Sequence, residues 1–215
     1  PELEEILGRP VINRYGMTES HVITSLPVDR PSRQGSVGFV LDGLEMKLLG
    51  EQGEAVPTGT VGEVTIRGRN LFDRYWQKPE LTRQAFDSEG WFGTGDLGCL
   101  DEDGYLTLRG RRKDLIIVNG YNVYPPIVER AINSHPAVSE SAVVGVPDSR
   151  RGERAVAFVV AAEASLDPEQ IKSFCNERIV DYERPWKVYV VDSLPRNTMG
   201  KVQKTELRRI AQQDG

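Results

Sequence analysis

The stretch Gly110–Pro125, GRRKDLIIVNGYNVYP, decides how this chain divides. Its opening GRRKD is short and charged, with none of the Gly/Ser composition of a flexible tether, so it reads as a hinge. Beyond it DLIIVNG has the composition of a strand. PPIVERAINSHP begins at one proline and stops before another, as a short helix does. ESAVVGVP and ERAVAFVVA are apolar strands. DPEQIKSFCNERI is a helix capped by Asp167, with Pro168 at its first position and Glu169 next. WKVYVV is a further strand and KTELRRIAQQ a closing helix. Strands alternating with helices over about 100 residues form a small α/β or α+β domain.

Working back from Gly110, the chain as far as Val11 reads as short strands and turns. GEVTIRG alternates, EMKLL precedes the turn GEQGE, and GYLTLRG follows the turn DEDG. Many of the 21 glycines fall in this half, which suits a barrel-like or sheet-rich piece. No internal repeat or low-complexity segment interrupts either half.

At 215 residues, 39% hydrophobic and 27% charged, the chain has the balance of a soluble globular protein able to bury a sizeable core. A net charge of -5 gives no general affinity for nucleic acid, although Arg109, Arg111, Arg112 and Lys113 form a local basic cluster able to meet phosphates. Cys99 and Cys175 are too far apart for a disulfide framework or a metal cluster, which favours a reducing, cytoplasmic setting. No apolar run approaches the ~20 residues of a membrane span. PELEEILGRP has neither the basic start nor the apolar centre of a signal peptide. It also lacks an initiator methionine, so a processed or truncated product is expected.

Three further stretches carry chemistry. YGMTES (Tyr15 to Ser20) sets an aromatic face beside a glycine that lets backbone approach a ligand; taken alone it equally describes a turn with a buried tyrosine. GTGDLG (Gly93 to Gly98) places Asp96 after two glycines. A carboxylate there can accept both hydroxyls of a ribose, and alone it is a turn aspartate. PRNTMGKVQK (Pro195 to Lys204) puts Lys201 on a polar loop after a strand, where most lysines simply face water.

In this order and at this spacing the four stretches resemble the adenylate-forming superfamily of acyl-CoA synthetases, adenylation domains and luciferases. The likeness covers essentially the whole chain, including GEVTIRGRNLFDRYWQKPELT. It implies an α+β fold in two parts: residues 1–112 as the sheet-rich end of a large AMP-binding domain, and residues 113–215 as a small mobile lid with a central sheet and flanking helices. It implies an AMP-forming acid–thiol ligase that activates a carboxylic acid with ATP and Mg²⁺ and passes the acyl group to coenzyme A. Tyr15 and Gly16 would lie against adenine, Thr18 would donate to a phosphate, and Glu19 would hold magnesium. Asp96 and Arg111 would bind the ribose, with Arg112 a solvated neighbour. Lys113 would be the hinge. Gly120 and Tyr121 would line the pantetheine channel, where a plain hairpin turn is the other reading of Gly120. Lys201, on a mobile loop, would neutralise the two anions joined in adenylation. Lys204 and Arg196 are expected to remain surface charges.

The family's Ser/Thr/Gly-rich phosphate loop and its upstream acyl-pocket region have no counterpart here, so the chain is expected to be the C-terminal part of a longer enzyme, inactive alone. Arg74 stands where the family usually has glycine, and Ile127 where an acidic residue is common. The wording RYGMTES, NVYP and LPRNTMGKVQK is similar to malonyl-CoA-synthetase-like acyl-CoA ligases. A carrier-protein-loading adenylation domain uses the same residues; the ending RRIAQQDG, with no carrier-like continuation, favours free coenzyme A. For the isolated chain, a nucleotide-binding or interaction module stays open.

Overall fold

The computed structural model describes residues 2–28, 33, 35–162 and 166–213. Its contacts separate into two units, Pro1–Arg112 and Lys113–Gly215. Asp214 and Gly215, which end RRIAQQDG, lie outside the described residues.

The first unit opens with helix α1 (Glu2–Leu7) and a three-stranded antiparallel sheet of β1 (Arg14–Met17), β2 (His21–Ser25) and β3 (Phe39–Val40). A four-stranded antiparallel sheet follows in the order β4 (Leu44–Leu49), β5 (Val61–Gly68), β6 (Phe92–Leu100) and β7 (Leu106–Arg111). Backbone bonds join the segment before β3 to the head of β7: Val37 N–H donates to the Leu106 carbonyl at 2.8 Å, and Leu106 N–H to Gly38 at 2.9 Å. Tyr15, Ile23, Val64, Ile66, Phe92 and Leu106 share one core.

Two features depart from the strands-and-turns reading of this half. Helix α2 (Pro79–Ala85) lies between β5 and β6, started by Pro79, yet buries none of its residues. The motif GTGDLG lies wholly within β6 and is not a turn. Gly95 takes a left-handed φ of +72° there, so the strand bends locally.

The second unit is a mixed five-stranded sheet flanked by three helices: β8 (Ile116–Val118), β9 (Tyr121–Val123), α3 (Pro125–Asn133), β10 (Val138–Asp148), β11 (Gly152–Ala161), α4 (Pro168–Asn176), β12 (Lys187–Val191) and α5 (Lys204–Gln213). Strand β11 pairs antiparallel with β10 and parallel with β12. The continuous apolar runs of β10 and β11 are explained by burial on both faces. Val143, Ala157 and Val159 pack with residues of α3 and α4, while Val144, Val156 and Phe158 pack with Leu207 and Ala211 of α5. Asp167 caps α4 by accepting from Glu169 N–H at 3.0 Å. Among the described residues no helix is long and apolar enough to cross a membrane.

Candidate active site

In the first unit, the fold brings Tyr15, Asp96 and Arg111 together. Asp96 is only 7% exposed, and cross-strand pairing sets it opposite Arg111 of β7. Arg111 Nε reaches Asp96 Oδ1 at 3.0 Å, and the Tyr15 hydroxyl donates to Oδ2 at 2.7 Å. Asp96 N–H donates to Thr94 Oγ1 at 3.1 Å. A carboxylate has about four lone-pair sites, so each oxygen retains capacity for a further donor such as a sugar hydroxyl. Tyr15 is itself core, 8% exposed, and burial is the main reason its phenol is held well above its ordinary pKa, with Asp96 adding to the rise.

Gly16 has a structural reason beyond any ligand. The β1–β2 register shifts between Tyr15 and Gly16, and a Cβ at Gly16 would stand 1.9 Å from the His21 carbonyl oxygen. His21 closes the same turn with a φ of +57°. The close approach of the His21 carbonyl by itself therefore requires glycine at position 16. Thr18 is exposed at the head of this turn and Glu19 half-buried. The Tyr75 hydroxyl donates to Glu19 Oε1 at 2.9 Å, and Phe72 N–H to the Glu19 carbonyl at 2.8 Å. Burial, then this bond to Glu19, raises the Tyr75 pKa. Tyr75 had no signal in the sequence as a partner of Glu19, because the two are 56 residues apart. Among the described residues no group of three or more His, Cys, Asp or Glu is placed to hold a metal. A single hard carboxylate such as Glu19 fits Mg²⁺ only where substrate phosphates and water supply the remaining oxygens.

Arg112 is not merely solvated: its Nη1 pairs with Glu63 Oε2 at 2.7 Å. Lys113 is exposed and is the first residue of the second unit. Next to it, Asp114 Oδ1 receives Arg208 Nη2 from α5 at 2.7 Å.

Within the second unit, Asn119 and Gly120 form the β8–β9 turn with φ values of +52° and +82°, a two-residue hairpin of the kind that demands left-handed backbone. No atom lies within 4 Å of a Cβ built on Gly120, so backbone angle and not crowding selects glycine there. Tyr121, 57% exposed, stacks on Tyr182 with ring centroids 4.6 Å apart.

The Lys201 loop is tightly bonded. Asn197 Oδ1 accepts the N–H of Met199 at 3.0 Å and of Lys201 at 2.9 Å. Asn197 N–H donates to the Lys201 carbonyl at 2.9 Å, and Gly200, at φ +77°, donates to the Asn197 carbonyl at 2.9 Å. Arg196 is no idle surface charge: it pairs with Glu140 of β10, and its Nη1 donates to the Gly200 carbonyl at 2.6 Å. Nor is Lys204. Its ammonium reaches Glu129 Oε1 at 2.7 Å and the Val143 carbonyl at 3.2 Å. Lys201 is exposed, and among the described residues its ammonium has no hydrogen-bond or ion-pair partner.

Two family descriptions match in succession: AMP-binding enzyme over residues 1–76, and AMP-binding enzyme C-terminal domain over residues 127–201. The 2-succinylbenzoate–CoA ligase of Geobacillus kaustophilus is 43% identical over 94% of this chain and 42% of its own length. ATP-bound MatB from Rhodopseudomonas palustris superposes with a TM-score of 0.88 at 43% identity, covering 94% of this chain and 41% of that one. The o-succinylbenzoate CoA synthetase MenE of Bacillus subtilis, in complex with ATP and magnesium, gives 0.87 at 35% identity over 96% and 43%. The chain thus spans about two fifths of the length of the relatives it matches. It belongs to the adenylate-forming, AMP-binding enzyme superfamily.

Proposed function

We propose that the protein carrying this chain is an AMP-forming acid–thiol ligase. A carboxylate oxygen attacks the α-phosphorus of ATP and pyrophosphate leaves; the thiol of coenzyme A then attacks the acyl carbon and displaces AMP. The observation that carries this reading is the exposed ammonium of Lys201, without a partner among the described residues, at the head of a bonded hairpin. Two anions must meet in the first step, and a preorganised cation offsets their repulsion.

The other roles follow the same chemistry. Asp96 and Arg111 offer an acceptor and a donor to ribose hydroxyls, held in register by the β6–β7 ladder. Tyr15 and Gly16 form the wall beside them for adenine. Thr18 supplies a hydroxyl to phosphate, and Glu19 a carboxylate to Mg²⁺, as the magnesium-bound relative suggests. When bound, the metal would neutralise phosphate charge. Lys113 serves as the hinge at the boundary of the two units, where a charged side chain stays solvated whatever its backbone angles. Gly120 and Tyr121 serve the pantetheine arm in the second step. Two free cysteines suit a cytoplasmic enzyme.

The test uses the full-length protein, with pyrophosphate exchange measured over a panel of carboxylic acids. Lys201→Ala is expected to lower exchange by about 10²- to 10³-fold and to leave thioester formation from supplied acyl-adenylate near its original rate. Equal loss of both half-reactions, or no exchange with any acid, would overturn the reading.

A further inference from the structure

We infer that Asn197 and Arg196 are positioning residues for the adenylation half-reaction, acting through the geometry of the Lys201 backbone. The inference rests on the reading of Lys201 given above. A lysine side chain has four rotatable carbons, and its reach is useful only if its Cα is fixed. Here the Cα is fixed from both sides. The Asn197 amide oxygen receives two backbone N–H groups, those of Met199 and Lys201, while the Asn197 main chain donates to the Lys201 carbonyl. Both main-chain polar groups of Lys201 are therefore held by one residue. Truncating Asn197 to alanine releases both N–H donors to solvent at once and frees the loop backbone.

Arg196 completes the arrangement from below. One guanidinium nitrogen pairs with Glu140 on β10 and the other donates to the Gly200 carbonyl, so the loop is stitched to the edge strand of the sheet. Gln203 adds two bonds across the base: its N–H to the Pro195 carbonyl at 2.8 Å and its Nε2 to the Arg196 carbonyl at 2.9 Å. Lys204, immediately beyond, is tied to the same strand at the Val143 carbonyl. Both ends of the hairpin are thus anchored to β10. Lys201 is thus tied to the second unit through both its main-chain bonds and those of its neighbours.

The test compares Asn197→Ala, Asn197→Ser and Lys201→Ala in the full-length protein, each assayed separately for adenylation and for thioester formation from supplied acyl-adenylate. Asn197→Ala is expected to lower adenylation kcat roughly tenfold, with the KM for ATP and the thioester rate unchanged. Asn197→Ser retains an oxygen able to accept the same N–H groups and should recover most of the loss. Arg196→Gln, which loses the pair with Glu140, is expected to show the same half-reaction selectivity with a smaller drop. An unchanged Asn197→Ala, equal loss in both half-reactions, or a serine variant as impaired as the alanine one would overturn the inference. Lys201→Ala separates the two claims: if it spares adenylation, the proposed function fails; if it behaves as expected while Asn197→Ala does not, only the positioning role fails.

Discussion

The hydroxyl of Tyr15 donates to Asp96 Oδ2 at 2.7 Å although the two residues are 81 positions apart. This bond links the three-stranded sheet to the four-stranded one beside the proposed ribose site. Tyr15→Phe removes the donor and leaves Asp96 buried with Arg111 as its remaining side-chain partner. The expected cost is about 1–2 kcal/mol of stability, read from the denaturant midpoint with an unchanged m-value. A variant as stable as the parent would show that Asp96 is satisfied without Tyr15.

Gly16 and Gly120 predict opposite responses to the same change. Alanine at Gly16 would set a Cβ 1.9 Å from the His21 carbonyl oxygen, and neither backbone can yield without breaking the β1–β2 turn. The expected loss is about 3 kcal/mol or more, seen as a sharply lowered Tm.

At Gly120 the surrounding space is open, and alanine meets only the left-handed φ of +82°. The cost should be about 1–2 kcal/mol, small enough to leave a folded protein. Thioester formation can then be measured on it, and an unaffected rate would remove Gly120 from the proposed pantetheine channel.

Lys204 binds Glu129 and the Val143 carbonyl from a side chain that is 20% exposed. Lys204→Met leaves Glu129 Oε1 with only the Val143 N–H. A loss of about 1–2 kcal/mol is expected, and a double-mutant cycle with Glu129→Gln should return a positive coupling energy.

Cys175 lies in the core of the second unit, and burial pushes its thiol from 9.0 up to about 11. Since the unfolded chain releases this proton first, the contribution to stability is complete below pH 9.0 and is lost as pH rises toward about 11. At neutral pH Cys175 should resist iodoacetamide in the native protein and react once denaturant is added, with Cys99, which is partly exposed, labelled ahead of it.

Residue order alone determined the elements of the second unit apart from β9, whose three residues do not read as a strand. Pro125, Asp167 with Pro168, and the paired apolar runs of β10 and β11 each carry a local signal, and each appears where that signal places it. Motif order likewise singled out Lys201 and Asp96, because spacing along the chain survives in the sequence. Tertiary structure decided what surrounds them. Asp96 is a strand residue clasped by Tyr15 and Arg111, Gly16 yields to the His21 carbonyl, and Glu19 is held by Tyr75. Arg196, Lys204 and Arg112, which look like solvated charges in the sequence, bind Glu140, Glu129 and Glu63 across gaps of dozens of residues. Local propensity acts over a few residues, whereas these partners meet only after the sheets have formed.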